Sequence, residues 1–242
     1  MAFFGDIGAR DEPRGPIWAP FAVIRDNVER LVAINIVWFL QLLPGILALA
    51  FPQLPTWLRI ALGAYSATAA IPATGVLYAL AIAASRGEHL SAELTRQYLR
   101  DLAVPSLRKL TPLYGVFGAL VWLVVLLGRA VPSVTTVATL FALLWYLCAG
   151  YWGPLLATDP RAPVSFLVKQ SIGLVWHYPG ETLATASVAA FALVIGFVSI
   201  GGLVLIVPVV VALLHTWRYL DLVERKRRSR VQEEVGVGSP GA

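Results

Sequence analysis

His215 is the residue best suited to acid–base work, standing one turn before Arg218 at the end of a long uncharged stretch. Histidine exchanges a proton near neutral pH, and a serine beside it would make a nucleophile and its base. The nearest serine before it, Ser199, lies in Gly196-Phe197-Val198-Ser199-Ile200-Gly201, which is not a GxSxG elbow. No HExxH is present to bind zinc, and no Walker A or dinucleotide glycine pattern is present to cradle phosphate. Cys148 is the single cysteine, so neither an intrachain disulfide nor a CxxC knuckle can form. The remaining polar candidates are amides and hydroxyls: Asn35 and Gln41, then Ser66, Thr68 and Thr74. Such groups bond to neighbouring helices or contact a small polar solute. Asn35, Gln41 and Thr74 form the candidate polar site. Arg225, Lys226, Arg227, Arg228 and Arg230 form a candidate contact for anionic lipid, or a plain topology anchor. That run lacks the folded module or interleaved aromatics of a nucleic-acid site. No catalytic residue, metal or cofactor is expected.

The elements that hold these residues follow from composition. The chain has 242 residues, 58% hydrophobic and 14% charged, with a mean hydropathy of +0.73. Ordinary globular domains carry about 25% charge. A disordered chain, a disulfide-rich module and an ordinary soluble enzyme are excluded, which leaves a polytopic membrane protein. About 20 apolar residues cross a bilayer, and charges within it are expensive. The charge-free gaps therefore predict helices over about 31–51, 60–84, 111–128 and 133–157. The gap from Glu181 to Arg218 is too long for one helix; Gly201-Gly202 divides it into 182–200 and 203–221. The expected fold is all-α, a bundle of six spans over 31–221.

Charge placement orients the bundle. With six spans, all of the 19 Lys and Arg except Arg59 and Arg129 fall on one side. The positive-inside rule then places both termini in the cytoplasm of a multi-pass cell-membrane protein. Residues 1–30 read as a cytoplasmic segment without a cleavable signal, because acidic and basic residues alternate before the first span. Residues 222–242 read as a basic, then disordered, cytoplasmic tail. His215 lies near the cytoplasmic end of the last span, where it would bond to a headgroup or a backbone carbonyl; Ser199 lies near the opposite end, roughly a bilayer away. Trp57, Trp152, Trp176 and Trp217 fall near the expected interfaces, as in an aromatic belt.

Two stretches are amphipathic rather than spanning, at about 90–104 and 164–178. In the first, Leu90, Leu94, Tyr98 and Leu102 recur every four residues among Glu93, Arg96, Gln97, Arg100 and Asp101. Pro105 should break or bend it before the third span. In the second, Pro163 starts the helix and Pro179 stops it. A weaker version covers Pro20–Arg30. The three begin about seventy residues apart, the spacing of a threefold repeat of amphipathic helix and helical hairpin. Pro44, Pro72, Pro112, Pro154 and Pro208 place a helix breaker in most spans.

Four stretches, and the Arg/Glu-bearing amphipathic loop 85–110 as a cytoplasmic segment, resemble a known family. The opening Asn35-Ile36-Val37-Trp38-Phe39-Leu40-Gln41-Leu42-Leu43-Pro44 is similar to the N-L-L-W-x-L-x-x-L-P of the YesL-like family, domain of unknown function 624. Ala73-Thr74-Gly75-Val76-Leu77-Tyr78 resembles its second-span end, Tyr151-Trp152-Gly153-Pro154-Leu155-Leu156 its Y-x-x-P-L-L, and Ala212-Leu213-Leu214-His215 its closing span. The resemblance covers about 25–222 and departs in an extra stretch at about Gly45–Ala70. It implies a bacterial integral membrane protein of unknown activity, with genes often beside carbohydrate-uptake operons, and it carries no catalytic residues. The expected function is a non-enzymatic accessory or regulatory role linked to carbohydrate uptake, with membrane lipids and a transporter or other membrane protein as partners. The alternative is a small uncoupled transporter or channel with its polar site at Asn35, Gln41 and Thr74.

Overall fold

The computed structural model describes residues 19–127, 132–199 and 206–237. Among these there are seven helices and no strand: α1 Ala19–Ala50, α2 Thr56–Ser85, α3 Ala92–Leu127, α4 Pro132–Thr158, α5 Val164–His177, α6 Pro179–Val198 and α7 Val207–Val237. The charge-free gaps mark the helices because each long apolar run must satisfy its backbone internally. Five helical stretches are long and apolar enough to cross a membrane: Glu29–Ala50, Thr56–Ser85, Ala92–Leu126, Ser133–Thr158 and Pro179–Gly196. The sixth expected span, 203–221, begins in residues outside the described set. Its described part opens α7, which Arg218, Asp221 and Glu224 make polar within a few turns. The Gly201-Gly202 hairpin, Arg129, residues 1–18 and the tail after 237 also lie outside the described residues.

Helix α2 is the central element, packing against α1, α3, α4 and α7. From Gly75 to Ala84 it is buried on every side. The core consists of two clusters. One joins Leu31 of α1, residues 76–84 of α2, and Val209, Ala212 and Leu213 of α7. The other joins Leu110 and Leu113 of α3, Tyr151, Trp152 and Leu156 of α4, Leu167 and Leu174 of α5, and Leu222 of α7. Both occupy the end of the bundle where α2 and α4 finish and α3 begins. Towards the other end the helices present apolar side chains outward, among them Leu49, Trp57, Trp122, Val125, Phe141 and Val198. In a soluble protein this surface would be unstable; against acyl chains it is neutral.

Three expectations change here. Pro105 does not break its helix: α3 runs unbroken through both Pro105 and Pro112. Leu102, Ser106, Leu110 and Leu113 form one buried stripe across the proline, and that packing outweighs the roughly 3 kcal/mol a helical proline costs. The residue whose carbonyl loses its partner, Asp101, is exposed. The segment 20–30 is likewise no separate element, because α1 is continuous from Ala19. Trp152 is not an interfacial belt residue. It is fully buried and meets Tyr114 and Trp145 edge to face, each with ring centroids 5.5 Å away. Trp57 and Trp176 are exposed. The 164–178 segment forms α5, with Leu167, Ser171, Leu174 and Val175 turned inward. Pro179 opens α6, where its missing N–H is harmless.

Two close approaches set the helix spacing. The ring of Tyr78 on α2 lies in the volume that a side chain at Gly153 of α4 would fill. A Cβ at Gly45 of α1 would sit 2.9 Å from Ser66 Cβ of α2. Neither helix pair can approach this closely with a larger residue. Gly153→Ala is therefore expected to destabilise the bundle by about 1–3 kcal/mol. At Gly63, where no atom lies within 4 Å of an added Cβ, alanine should be neutral or stabilise by up to about 1 kcal/mol. Thermal unfolding of the two purified variants in detergent checks this; equal melting temperatures would refute the packing assignment.

Candidate functional site

Asn35, Gln41 and Thr74 do not converge on one site: Asn35 joins α1 to α7, while Gln41 and Thr74 make separate bonds between α1 and α2. Asn35 is completely buried, and its Oδ1 accepts the Val209 N–H of α7 at 3.2 Å. That N–H lies in the first turn of α7, where helix donors have no intrahelical partner. A side chain on the first long helix thus caps the last one. On α1 and α2, Trp38 Nε1 donates to Thr74 Oγ1 at 3.0 Å, and Thr74 in turn donates to the Ala70 carbonyl at 2.8 Å. Tyr65 donates to Gln41 Oε1 at 3.0 Å. Thr68 turns back to the Ala64 carbonyl of its own helix.

Ser66 attends to the proline in α1. Its Oγ accepts the N–H of Gly45, the residue after Pro44, at 2.7 Å and donates to the Leu42 carbonyl at 3.4 Å. Arg59 Nε donates to the Ala48 carbonyl at 3.1 Å, satisfying one acceptor in the last turn of α1. Two side chains of α2, Ser66 and Arg59, thus hold the α1–α2 hairpin through bonds to the α1 backbone.

A second polar group, centred on His215, is set within the bundle, and this corrects the expected headgroup or carbonyl contact. His215 Nδ1 pairs with Tyr78 OH of α2 at 3.0 Å. The two rings are nearly parallel, 14° apart with centroids 6.4 Å apart. Gly150 of α4 leaves the room for the imidazole. One turn on, buried Arg218 donates through Nε to Thr185 Oγ1 of α6 at 3.0 Å and reaches Asp221 at 3.5 Å. Tyr151 OH and Thr182 Oγ1 are 2.6 Å apart, and Tyr146 OH donates to the Ala186 carbonyl at 3.0 Å. His215, Arg218, Tyr146, Tyr151, Thr182 and Thr185 line a cavity of about 10 Å³, room for a single water. The chemistry such a group supports is hydrogen bonding across α2, α4, α6 and α7. Sequence reasoning missed Tyr78, Tyr146, Tyr151, Thr182, Thr185 and Arg218 here. The signal that could have revealed part of it is spacing: Thr182 and Thr185 on one helix, like His215 and Arg218 on another, are three apart and share a face.

In the basic run, Arg225 pairs with Asp221 at 2.8 Å and with Glu181 of α6 at 3.7 Å. Arg228 pairs with Glu224 at 3.0 Å. Lys226 and Arg227 are exposed, and the Arg230 side chain lies outside the described residues. Among the described residues, no three His, Cys, Asp or Glu side chains gather into a metal-binding group. The chain matches no family model, no curated protein and no solved structure. The class its fold defines is a helical membrane protein with at least five helices capable of crossing the bilayer.

Asn35→Leu removes the acceptor of a buried N–H and should cost about 1–3 kcal/mol. Gln41→Leu removes a half-exposed side-chain pair and should cost about 0.6 kcal/mol. Unfolding in mixed micelles measures both, and a loss at position 41 equal to that at position 35 would contradict the capping role.

Proposed function

We propose that this is a cell-membrane protein of six spans, with both termini in the cytoplasm. It acts as a non-enzymatic accessory or regulatory subunit of another membrane protein. The setting we assign is carbohydrate uptake, following the resemblance to the YesL-like family. The observation that carries this reading is where the intramembrane polar groups go. Asn35, Gln41 and Thr74, the residues a solute path would need, bond to Val209, Tyr65 and Trp38 and so join helices to one another. What remains for interaction is lateral: apolar faces on α3, α4 and α6 on which lipid or a second membrane protein can pack. The six-span topology is supported by charge, because it leaves only Arg59 and Arg129 on the far side.

The decisive experiment pairs crosslinking with flux. A photo-crosslinker at exposed Trp122 or Phe141 in native membranes is expected to trap a transporter component. Proteoliposomes of the purified chain are expected to pass sugars and small ions no faster than protein-free vesicles. Flux that is abolished by Asn35→Leu, together with adducts to lipid only, would place the chain among uncoupled transporters or channels instead. A cytoplasm-dependent reporter fused after Arg230 should be active, and one inserted at Arg129 silent; the reverse pattern overturns the topology.

A further inference from the structure

We propose that the groove between α1, α2 and the first turns of α3 seats one acyl chain of an anionic glycerophospholipid, with the lipid phosphate against Arg30. The groove has a volume of about 760 Å³, within the roughly 300–1,000 Å³ of small-molecule sites. Its walls are continuous helix faces. Ala33, Val37 and Gln41 line it from α1, at four-residue spacing. Ala69, Ala73 and Val76 line it from α2, again on one face. Thr95, Leu99 and Ala103 close it from α3. Alanines recur where the three helices converge, and their missing side-chain volume is the cavity.

Length identifies the occupant. Arg30 is the last charge before the uncharged stretch that runs to Arg59, and Gln41 is the last α1 residue on the wall. Eleven residues of helix rise about 16 Å, and half of a roughly 30 Å hydrocarbon core is about 15 Å. From Arg30 to Gln41 the groove is thus about as long as an acyl chain of a single leaflet. A helix of a partner protein would need the whole thickness.

Charge identifies the headgroup. Arg30 is exposed at the mouth and donates to His89 Nδ1 at 2.8 Å. A ring nitrogen that accepts this bond is unprotonated, so the guanidinium is fixed in place without being neutralised by it. A planar guanidinium recognises phosphate through paired N–H groups. The positive end of α3 opens at the same rim, with Ser91 capping it through the Leu94 N–H at 3.1 Å. The acidic residues of this segment are turned elsewhere: Glu93 and Asp101 lie with Arg96 and Arg100 on a separate charged strip. This site is distinct from the basic run at 225–230, and it stands independently of the accessory role proposed above.

Native mass spectrometry of the delipidated full chain in a neutral detergent tests the site, with phosphatidylglycerol and phosphatidylcholine of identical chains as probes. Phosphatidylglycerol should bind roughly tenfold more tightly, the size of one charge-assisted contact. Arg30→Gln should reduce it to the phosphatidylcholine level. Ala73→Phe, which fills the groove floor, should weaken both lipids. Ala33→Leu, at an exposed groove position, should do so too, and it serves if the larger substitution misfolds. Arg161→Gln, at an exposed arginine outside the groove and outside the basic run, should change nothing. Equal affinity for the two lipids, a preference that survives Arg30→Gln, or binding untouched by both groove-filling variants would each overturn the proposal.

Discussion

A backbone N–H or C=O inside hydrocarbon has no water to bond to, and the helices here are arranged around that requirement. Prolines lie within the continuous helices α1, α2, α3 and α4, and α7 begins beside Pro208 with its first turn packed in the core. A helical proline leaves the carbonyl four residues before it without its N–H, and a helix start leaves N–H groups without partners. Asn35 at the start of α7 answers this directly, and Ser66 bonds the backbone on either side of Pro44, at Leu42 and Gly45. Both are short side chains that reach from one helix into the backbone of another. Their reach fixes which helices lie side by side, so satisfying the backbone also selects the packing. The close approach at Gly45 goes with the short reach of Ser66, whereas the one at Gly153 makes room for the ring of Tyr78.

The distribution of packing follows from where polar groups can be tolerated. The fully buried side chains gather at one end of the bundle, where α7 joins the two hydrophobic clusters. The His215 and Arg218 bonds lie at that end as well. Charged groups there can be shared among α2, α4, α6 and α7 and lie near the charged ends of α5 and α7. Farther along, the helices are almost purely apolar and need less from one another, because lipid covers them as well as a neighbour does. The bundle is stitched at one end and open to lipid along the rest.

Much of the helix layout was legible from charge alone. The gap read as 133–157 is helix Pro132–Thr158, and the gap read as 60–84 is Thr56–Ser85. Charge exclusion is a local property, so one sequence suffices. What was not legible depends on partners distant in sequence. His215 near a charged helix end reads as interfacial until Tyr78, 137 residues earlier, arrives beside it. Trp152 reads as a belt residue because its distance from the helix end matches one; its burial is decided by Tyr114 and Trp145. Pro105 marks a break on local grounds, and the stripe from Leu102 to Leu113 cancels it. Asn35, Gln41 and Thr74 were recognisable as polar groups in apolar helices. Whether they share one cavity or serve separate helix contacts was not written in their spacing.

The bond between Asn35 and Val209 spans 174 residues of chain, and this separation bears on how the protein is made. During synthesis the first long helix enters the membrane well before its partner has left the ribosome. Until α7 arrives, Asn35 lacks the Val209 N–H that it accepts in the finished protein. Completion of α7 supplies that contact and brings Leu213 and Leu222 into the two hydrophobic clusters. The contact that caps α7 is therefore among the last that the growing chain can form.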